Sequence, residues 1–245
     1  MAPLSSNDDA TCYALVPCAG SGERAGAGLP KQYVTIAGQS VVAHTLEALQ
    51  AVPQIAATLV VLAPGDTQFE RAAPLFRGEH AWTEYCGGAT RAATVTAGLA
   101  ALAARGVREH DWVLVHDAAR CLVRPEWIVR LIEQCHGDAV GGLLALPLAD
   151  TLKQEQVGRA VTTIARDGKW AAQTPQMFRL GVLCDALARA DDNVTDESGA
   201  IEALGLQPRL VMGELENFKL TWPADFALAE RLLGPGAHNT TKEAA

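Results

Sequence analysis

The order of strand-like and helix-like segments is the feature of this 245-residue chain that most constrains its fold. Short, continuous apolar runs, typical of strands buried on both faces, occur at 13–17, 58–63, 82–86, 112–116 and 140–146. Helix-like patterns lie between them at 41–51, 67–76, 91–104 and 126–136. This alternation predicts an α/β fold with a doubly wound, mainly parallel sheet. Ligands of such sheets bind beyond the carboxyl ends of the strands.

The alternation breaks after residue 146. Residues 147–172 are polar and are interrupted by Gly158 and Gly168, with one β-like stretch at 160–165, which predicts a protruding hairpin or arm. Further on, the pattern predicts helices at 180–190, 197–204 and 224–233 and a strand at 209–212. We therefore expect a single domain over 11–234 that includes the arm, with flexible tails at 1–10 and 235–245.

Composition and charge narrow the class of protein. The chain is 49% hydrophobic, has a formal net charge of −8 and contains no apolar run near the roughly 20 residues that span a bilayer. The negative charge argues against nucleic acid or an anionic membrane as partner. The first eleven residues lack the pattern of a signal peptide, and the six cysteines show neither a C-x-x-C pair nor zinc-ligand spacing. We expect a cytoplasmic protein with reduced thiols.

A glycine-rich loop directly follows the first predicted strand and reads Pro-Cys-Ala-Gly-Ser-Gly-Glu-Arg at 17–24. Backbone N–H groups of closely spaced glycines can turn inward around a polyphosphate, and Arg24 and Lys31 can neutralise it. The glycine spacing alone is a weak indicator, because it also suits a flexible turn and matches neither the dinucleotide fingerprint nor the P-loop. The basic residues favour phosphate binding here.

Asp117 follows the fourth predicted strand, at the sheet edge where ligands bind. Its carboxylate can coordinate a hard cation, since Mg²⁺ usually takes one or two protein carboxylates and completes its shell with phosphate oxygens and water. The alternative interpretation is a helix cap or a salt bridge with Arg120. The neighbouring His116 is of a type that more often packs at a strand end than binds a ligand.

Two further segments are weak indicators by themselves. Residues 87–91, Gly-Gly-Ala-Thr-Arg, open a predicted helix whose N-terminus favours anions or base edges, with Thr94 one turn inside. A glycine turn capped by Thr90 explains this segment equally well. Lys219 lies in a short strand-like segment, 216–221, and alone is an ordinary surface lysine.

In this order, the segments resemble the 2-C-methyl-D-erythritol 4-phosphate cytidylyltransferases of the non-mevalonate isoprenoid pathway, and the resemblance covers residues 13–233. The motifs that carry it are Pro-x-Ala-Gly-x-Gly-x-Arg at 17–24, Pro-Lys-Gln-Tyr at 30–33, Gly-Gly-x-x-Arg at 87–91, Val-His-Asp-Ala-Ala-Arg at 115–120, Asp-Thr at 150–151, Thr-Pro-Gln at 174–176, Thr-Asp-Glu at 195–197 and Phe-Lys-Leu-Thr at 218–221. Each motif is weak alone, but the set is specific. The sequence departs from the family's common pattern at Cys18, Ala89 and Cys121.

The resemblance implies a Rossmann-like sheet of the nucleotidyltransferase type with a protruding β-arm, and it implies roles for particular residues. The catalytic residues that hold the triphosphate would be Arg24, Lys31 and Lys219. The nucleotide-binding set would be Ala19, Gly20, Gly22, Arg24, Lys31, Gly88, Thr94, Asp117, Ala118 and Lys219. The substrate-binding set would be Asp117, Arg120, Thr151, Arg166, Thr174 and Thr195, with Asp117 also the metal ligand.

The implied activity is transfer of CMP from CTP to 2-C-methyl-D-erythritol 4-phosphate, with Mg²⁺ or another divalent cation as cofactor. The implied assembly is a homodimer that exchanges the arm at 147–172. Two alternatives stay open at this point. A ribitol-5-phosphate cytidylyltransferase shares the nucleotide motifs, and a non-catalytic nucleotide-binding module would keep the glycine loop.

Overall fold

The computed structural model describes residues 9–20, 29–190 and 194–234. The predicted tails therefore lie outside the described residues, apart from residues 9 and 10. The described residues form eleven strands, which in chain order are β1 (Cys12–Cys18), β2 (Thr35–Ile36), β3 (Gln39–Ser40), β4 (Ile55–Leu62), β5 (Ala81–Glu84), β6 (Trp112–Val115), β7 (Gly141–Pro147), β8 (Leu152–Gln156), β9 (Arg159–Ile164), β10 (Trp170–Arg179) and β11 (Arg209–Met212).

Seven of these strands form the central sheet, in the order β11-β7-β10-β6-β1-β4-β5. Strand β1 pairs in parallel with both β4 and β6, β4 pairs in parallel with β5, and β11 with β7. Strand β10 alone runs against its neighbours β6 and β7. The predicted α/β fold with a mainly parallel sheet is confirmed, and the five strands predicted in the first part of the chain are β1, β4, β5, β6 and β7.

The helices are α1 (Val41–Gln50), α2 (Phe69–Ala72), α3 (Arg91–Ala104), α4 (Pro125–Cys135), α5 (Leu180–Arg189), α6 (Glu197–Ala203) and α7 (Pro223–Leu233). Most match the predicted helices within about two residues. The helix predicted at 67–76 is wrong in length, because only α2 is helical there. Pro74 disfavours helical backbone at Ala73, whose φ of −131° and ψ of 62° are not helical.

Helices cover both faces of the sheet, as a doubly wound fold requires. On one face, Leu46 of α1 packs in the same buried cluster as Val60 of β4, together with residues of α4. On the other face, Leu99 of α3 packs with Leu59 of β4, together with residues of α5 and α6. Consecutive residues of β4 thus serve opposite cores, which explains its continuous apolar sequence.

Gly98 allows helix α3 to pack closely against the sheet. A Cβ atom at this position would lie 2.5 Å from Cδ1 of Leu15 and 2.7 Å from Cγ2 of Val61. A side chain there would force α3 away from β1 and β4. Because α3 begins at Arg91, its close packing also fixes the first turn of the helix at the ligand-binding edge of the sheet.

The region after β7 contains the predicted hairpin and one strand that the sequence did not predict. Strands β8 and β9 pair antiparallel through a two-residue turn at Val157 and Gly158, and every residue from 153 to 169 is exposed. Strand β10 then enters the centre of the sheet, where its register against β7 shifts between Ala172 and Gln176. Among the described residues, no helix is long and apolar enough to cross a membrane.

Candidate active site

A cavity of about 590 Å³ lies at the carboxyl ends of β1 and β6, within the range of roughly 300–1,000 Å³ usual for ligand sites. Eight of the ten residues predicted to bind the nucleotide line it, namely Ala19, Gly20, Lys31, Gly88, Thr94, Asp117, Ala118 and Lys219. The other two, Gly22 and Arg24, lie outside the described residues. A second cavity, of about 660 Å³, lies between α1 and the segment 68–76 and contains none of the predicted site residues.

The described start of the glycine loop, at residues 18–20, is held by Gln32, a residue to which the sequence assigned no role. Its Nε2 donates to the backbone oxygens of Gly20, at 2.9 Å, and Cys18, at 3.3 Å. The adjacent Lys31 donates from Nζ to the backbone oxygen of Leu220 at 2.8 Å. The segments that carry Lys31 and Lys219 are therefore tied together across the mouth of the cavity.

The turn before α3 forms the opposite wall. A Cβ atom at Gly87 would clash with the Ala19 side chain and would lie 2.8 Å from the backbone oxygen of Leu62, so only glycine fits. The Thr94 hydroxyl accepts from the Gly88 N–H at 3.2 Å and lies 2.9 Å from the Thr90 oxygen, which is its nearest acceptor. Thr94 thus shapes the turn from within α3 and is itself buried.

Asp117 lies at the centre of a cluster of cations. Its Oδ1 accepts from Nε of Arg91 at 2.7 Å, and its Oδ2 lies 2.8 Å from Nζ of Lys219 and 3.9 Å from Nε of Arg120. The predicted contact with Arg120 exists, but it is the longest of the three. The two closer partners come from segments 26 residues before and about 100 residues after Asp117, so the sequence alone did not reveal them.

The charges of this cluster are set by burial and by the close partners. Burial alone would raise the pKa of the Asp117 carboxyl, but Arg91 and Lys219 outweigh it and hold that pKa well below its usual range. Burial raises the pKa of the Glu197 carboxyl, and Arg91 opposes this rise. Asp117 is consequently ionised and accepts hydrogen bonds only.

His116 and Thr174 fix the backbone of Asp117. The Thr174 hydroxyl oxygen accepts from the Asp117 N–H at 3.0 Å and lies 3.1 Å from Nδ1 of His116. Nε2 of His116 lies 3.2 Å from the backbone oxygen of Arg120, which only accepts, so Nε2 is assigned the proton and Nδ1 accepts from Thr174. Burial lowers the pKa of His116 to about 4, so the ring is neutral. Thr174 was predicted to approach the substrate, but its hydroxyl is hydrogen-bonded to His116 and to the Asp117 backbone.

The remaining predicted substrate residues are not gathered around the cavity. Thr151 and Arg166 lie on either side of the hairpin base, and Arg166 lines a separate, shallow cavity with Trp170. Thr195 is exposed just before α6. Within the described part of one chain, the cavity lining thus contains eight of the predicted nucleotide-binding residues. Of the predicted substrate residues only Asp117 lines it; Arg120 approaches Asp117 from outside the lining, and Thr151, Arg166, Thr174 and Thr195 also lie outside it.

Chemically, the described cavity presents two lysines, one arginine (Arg91) and one carboxylate beside a glycine turn. Ammonium groups and inward-facing N–H groups bind phosphate oxygens, and an ionised carboxylate can share a hard cation with those oxygens. Among the described residues there is no group of three or more His, Cys, Asp or Glu side chains that could hold a metal ion. A cation at Asp117 could take its remaining ligands from phosphate oxygens and water.

Comparison with known proteins identifies the family. The IspD family model, described as 2-C-methyl-D-erythritol 4-phosphate cytidylyltransferase, matches residues 12–235. The 2-C-methyl-D-erythritol 4-phosphate cytidylyltransferase of Burkholderia multivorans is 51% identical over 231 residues, which are 92% of this chain and 97% of that protein. The bifunctional enzyme IspD/IspF of Albidiferax ferrireducens is 58% identical over 222 residues, 91% of this chain but only 53% of that longer protein.

A solved structure extends the likeness to three dimensions. The crystal structure of a 4-diphosphocytidyl-2C-methyl-D-erythritol synthase superimposes with a TM-score of 0.82 at 39% identity, covering 92% of this chain and 99% of that one. Sequence and fold therefore agree over nearly the whole length. The chain belongs to the 2-C-methyl-D-erythritol 4-phosphate cytidylyltransferase family of nucleotidyltransferases.

Proposed function

We propose that this chain transfers CMP from CTP to 2-C-methyl-D-erythritol 4-phosphate, giving 4-diphosphocytidyl-2-C-methyl-D-erythritol and pyrophosphate in the synthesis of isoprenoid precursors. The observation that carries the proposal is the convergence of Lys31, Asp117 and Lys219, from three distant segments, on one cavity beside a glycine turn. A non-catalytic nucleotide-binding module has no need for this set of charges. The family relationship supplies the identity of the acceptor.

In the reaction, an oxygen of the acceptor phosphate attacks the α-phosphorus of CTP, and the bond to the β-phosphate oxygen breaks as pyrophosphate leaves. A phosphate nucleophile is already ionised near neutral pH, so no general base is required. Transfer of this kind depends on positioning and on stabilisation of charge. Lys31 and Lys219 supply positive charge beside the cavity, and Arg24, outside the described residues, is proposed to act with them.

Mg²⁺ is proposed as cofactor, with Asp117 as its protein ligand. A lone carboxylate fits this cation when nucleotide phosphates provide further oxygens. The bound ion would neutralise phosphate charge during the transfer. Replacing Asp117 with Asn should shift the Mg²⁺ titration of activity to higher concentration, because a neutral amide is a poorer ligand. Overlapping titrations of the two proteins would contradict the assignment.

The acceptor site is proposed to be completed by a second copy of the chain. Thr151 and Arg166 belong to the hairpin and not to the cavity of their own chain, and the hairpin has no core of its own. A polar excursion of this kind needs another surface to order it. We propose a homodimer in which the hairpin of one subunit carries Thr151 and Arg166 to the partner's cavity.

The cytoplasm is proposed as the compartment. All six cysteines are free thiols in the structure, four of them buried. Burial raises the pKa of Cys18 to about 12, so the thiol beside the glycine loop stays protonated and unreactive. Free thiols of this kind persist where the surroundings are reducing.

The decisive experiment measures pyrophosphate release with CTP, Mg²⁺ and either 2-C-methyl-D-erythritol 4-phosphate or ribitol 5-phosphate. Release with the first acceptor and not the second supports the proposal. Preference for ribitol 5-phosphate would favour the other cytidylyltransferase, and no release with either would favour the binding module. In parallel, CTP should be preferred over UTP, since a site that hydrogen-bonds the cytosine edge leaves groups unpaired with uracil. Comparable efficiency with UTP would contradict the assignment.

A further inference from the structure

Arg91 and Glu197 are joined to Asp117 in a chain of short contacts, yet the function described so far gives neither of them a role. The Arg91 guanidinium donates from Nη1 to Oε1 of Glu197 at 2.7 Å and from Nη2 to Oε2 at 3.0 Å. The same guanidinium donates from Nε to Oδ1 of Asp117 at 2.7 Å. The planar guanidinium of Arg91 thus donates hydrogen bonds to two carboxylates.

Glu197 is placed for this contact by the way α6 docks on the sheet. Asp196 caps α6 by accepting from the Gly199 N–H at 3.0 Å. Gln176 of β10 then fastens the cap, because its Nε2 donates to Oδ2 of Asp196 at 2.9 Å and its Oε1 accepts from the Ser198 N–H at 2.8 Å. Glu197 lies between the hydrogen-bonded residues Asp196 and Ser198 and is 1% exposed. Its burial and these bonds restrict the orientation of its carboxylate.

The consequence falls on the two oxygens of Asp117. Oδ1 is held on Arg91, while Oδ2 faces Lys219 at 2.8 Å at the wall of the cavity. The Asp117 backbone is fixed separately by the Thr174 hydroxyl. If Arg91 could turn away, the carboxylate would be free to rotate about its own bonds toward Lys219 and Arg120, both of which lie on the Oδ2 side.

We infer that Glu197, acting through Arg91, is a positioning residue for the transfer proposed above, on which this inference rests. The pair holds Oδ1 of Asp117 on Arg91 and thereby keeps Oδ2 directed at Lys219. Glu197 itself is not part of the cavity lining, so it offers the triphosphate no contact of its own. Their contribution is the orientation of the one carboxylate of the described cavity.

The charges of the cluster separate this role from simple nucleotide binding. Asp117 lies among three cations, Arg91, Arg120 and Lys219, and Glu197 compensates the first of them. Removing the negative charge of Glu197 makes the cavity more positive, so a polyphosphate should bind at least as well as before. A fall in turnover without a fall in CTP affinity is therefore the signature of lost positioning.

The test uses Glu197→Gln, which keeps the shape of the side chain and removes its charge. We expect kcat for pyrophosphate release to fall about tenfold or more. The dissociation constant of CTP, measured by calorimetry without acceptor in EDTA and again with Mg²⁺, should stay within about threefold of the parent. The number of CTP sites per chain in the same titration reports how much of the variant is folded.

A matched control is Glu84→Gln, which removes an ion pair of the same 2.7 Å length, to Arg105 at the opposite end of α3 from Arg91. Its kcat should equal that of the parent. If Glu197→Gln does not fold, Arg91→Lys provides the same test, because a lysine keeps the charge but cannot span Asp117 and Glu197 together. The loss of kcat should again exceed any loss of CTP affinity.

A double-variant comparison shows whether Glu197 acts through Asp117. In the Asp117→Asn background, Glu197→Gln should cause no further loss of kcat. A further tenfold loss, an unchanged kcat in the single variant, or a CTP affinity that falls as far as kcat would each overturn the inference alone. A parent protein that releases no pyrophosphate would overturn the proposed function, and the inference with it.

Discussion

The edge of the sheet around Asp117 and the hairpin β8–β9 differ in burial and in the partners that their side chains have within one chain. Asp117 is 7% exposed, and its backbone and both carboxylate oxygens have partners within its own chain. In the hairpin, every residue of β9 is exposed, and Val157 at its tip is 91% exposed. The first region is organised by the packing of one chain, whereas the second has little to bury until another surface covers it. The proposed active site requires both.

The strongest test of the self-contained region is Lys31→Ala. Turnover should fall about 100-fold to 1,000-fold, the usual cost of removing a group that stabilises charge in the transition state. The thermal midpoint should change little, because Lys31 is only partly buried and substitutions of such residues usually cost little stability. Steady-state kinetics and thermal unfolding check the two expectations. Parallel loss of activity and stability would show that Lys31 is structural.

The acid sensitivity of the same region follows from His116. Its pKa in the folded chain, about 4, lies below the ordinary value of 6.5. The unfolded chain therefore binds more protons between these values, and stability should fall as the pH drops from about 6.5 toward about 4, by about 3 kcal/mol from this residue. Unfolding by urea across this pH range should show a flatter dependence for His116→Asn than for the parent.

An exposed histidine provides the control for that measurement. His80→Gln replaces a histidine on the surface and is the matched control for the substitution itself. If His116→Asn keeps the full slope of the parent, the buried ring is not the source of the acid sensitivity. Hydrogen exchange of the hairpin amides should be the same in His116→Asn and in the parent, because the hairpin lies outside the hydrogen-bond network of His116.

The dependence of the hairpin on a partner is tested by mixing two inactive variants, Lys31→Ala and Arg166→Ala, under conditions of subunit exchange. If the hairpin acts in the partner, each mixed dimer has one site with both lesions and one intact site. Equal mixing should then restore about a quarter of the parental activity, because half of the dimers are mixed. Mixed dimers confirmed by mass, but without recovered activity, would show that the hairpin serves its own chain.

The smallest expected effect concerns the hairpin turn. Val157 has φ = 51° and Gly158 has φ = 74°, the left-handed backbone of a turn that favours Asn-Gly. Val157→Asn should stabilise the hairpin by about 0.5–1 kcal/mol, read from hydrogen exchange of its amides. Val161→Asn, at a strand position of the same hairpin, is the control and should weaken it. Equal effects of both changes would argue against strain at the turn.

The sequence was most informative where local pattern and tertiary environment agree. Helix α3 and strand β11 have the bounds that periodicity predicted, and Thr90 caps α3 as one interpretation of that segment proposed. Strand β10 was missed because Pro175 argues against a central strand. The fold tolerates this proline where the register against β7 breaks. The helix predicted at 67–76 was too long because the pattern of apolar residues extends past Pro74, whereas the helical backbone ends before this proline.

The sequence by itself determined the fold class and the segments that line the cavity. Motifs that follow buried parallel strands all lie at the same edge of the sheet, where its ligands bind. Only the tertiary structure decided how the charges pair. Arg91 and Glu197 are separated by 106 residues, and their contact depends on how α6 docks against β10. Pairing across such distances is selected by packing and by the cost of burying an unpartnered charge, neither of which is written in local sequence.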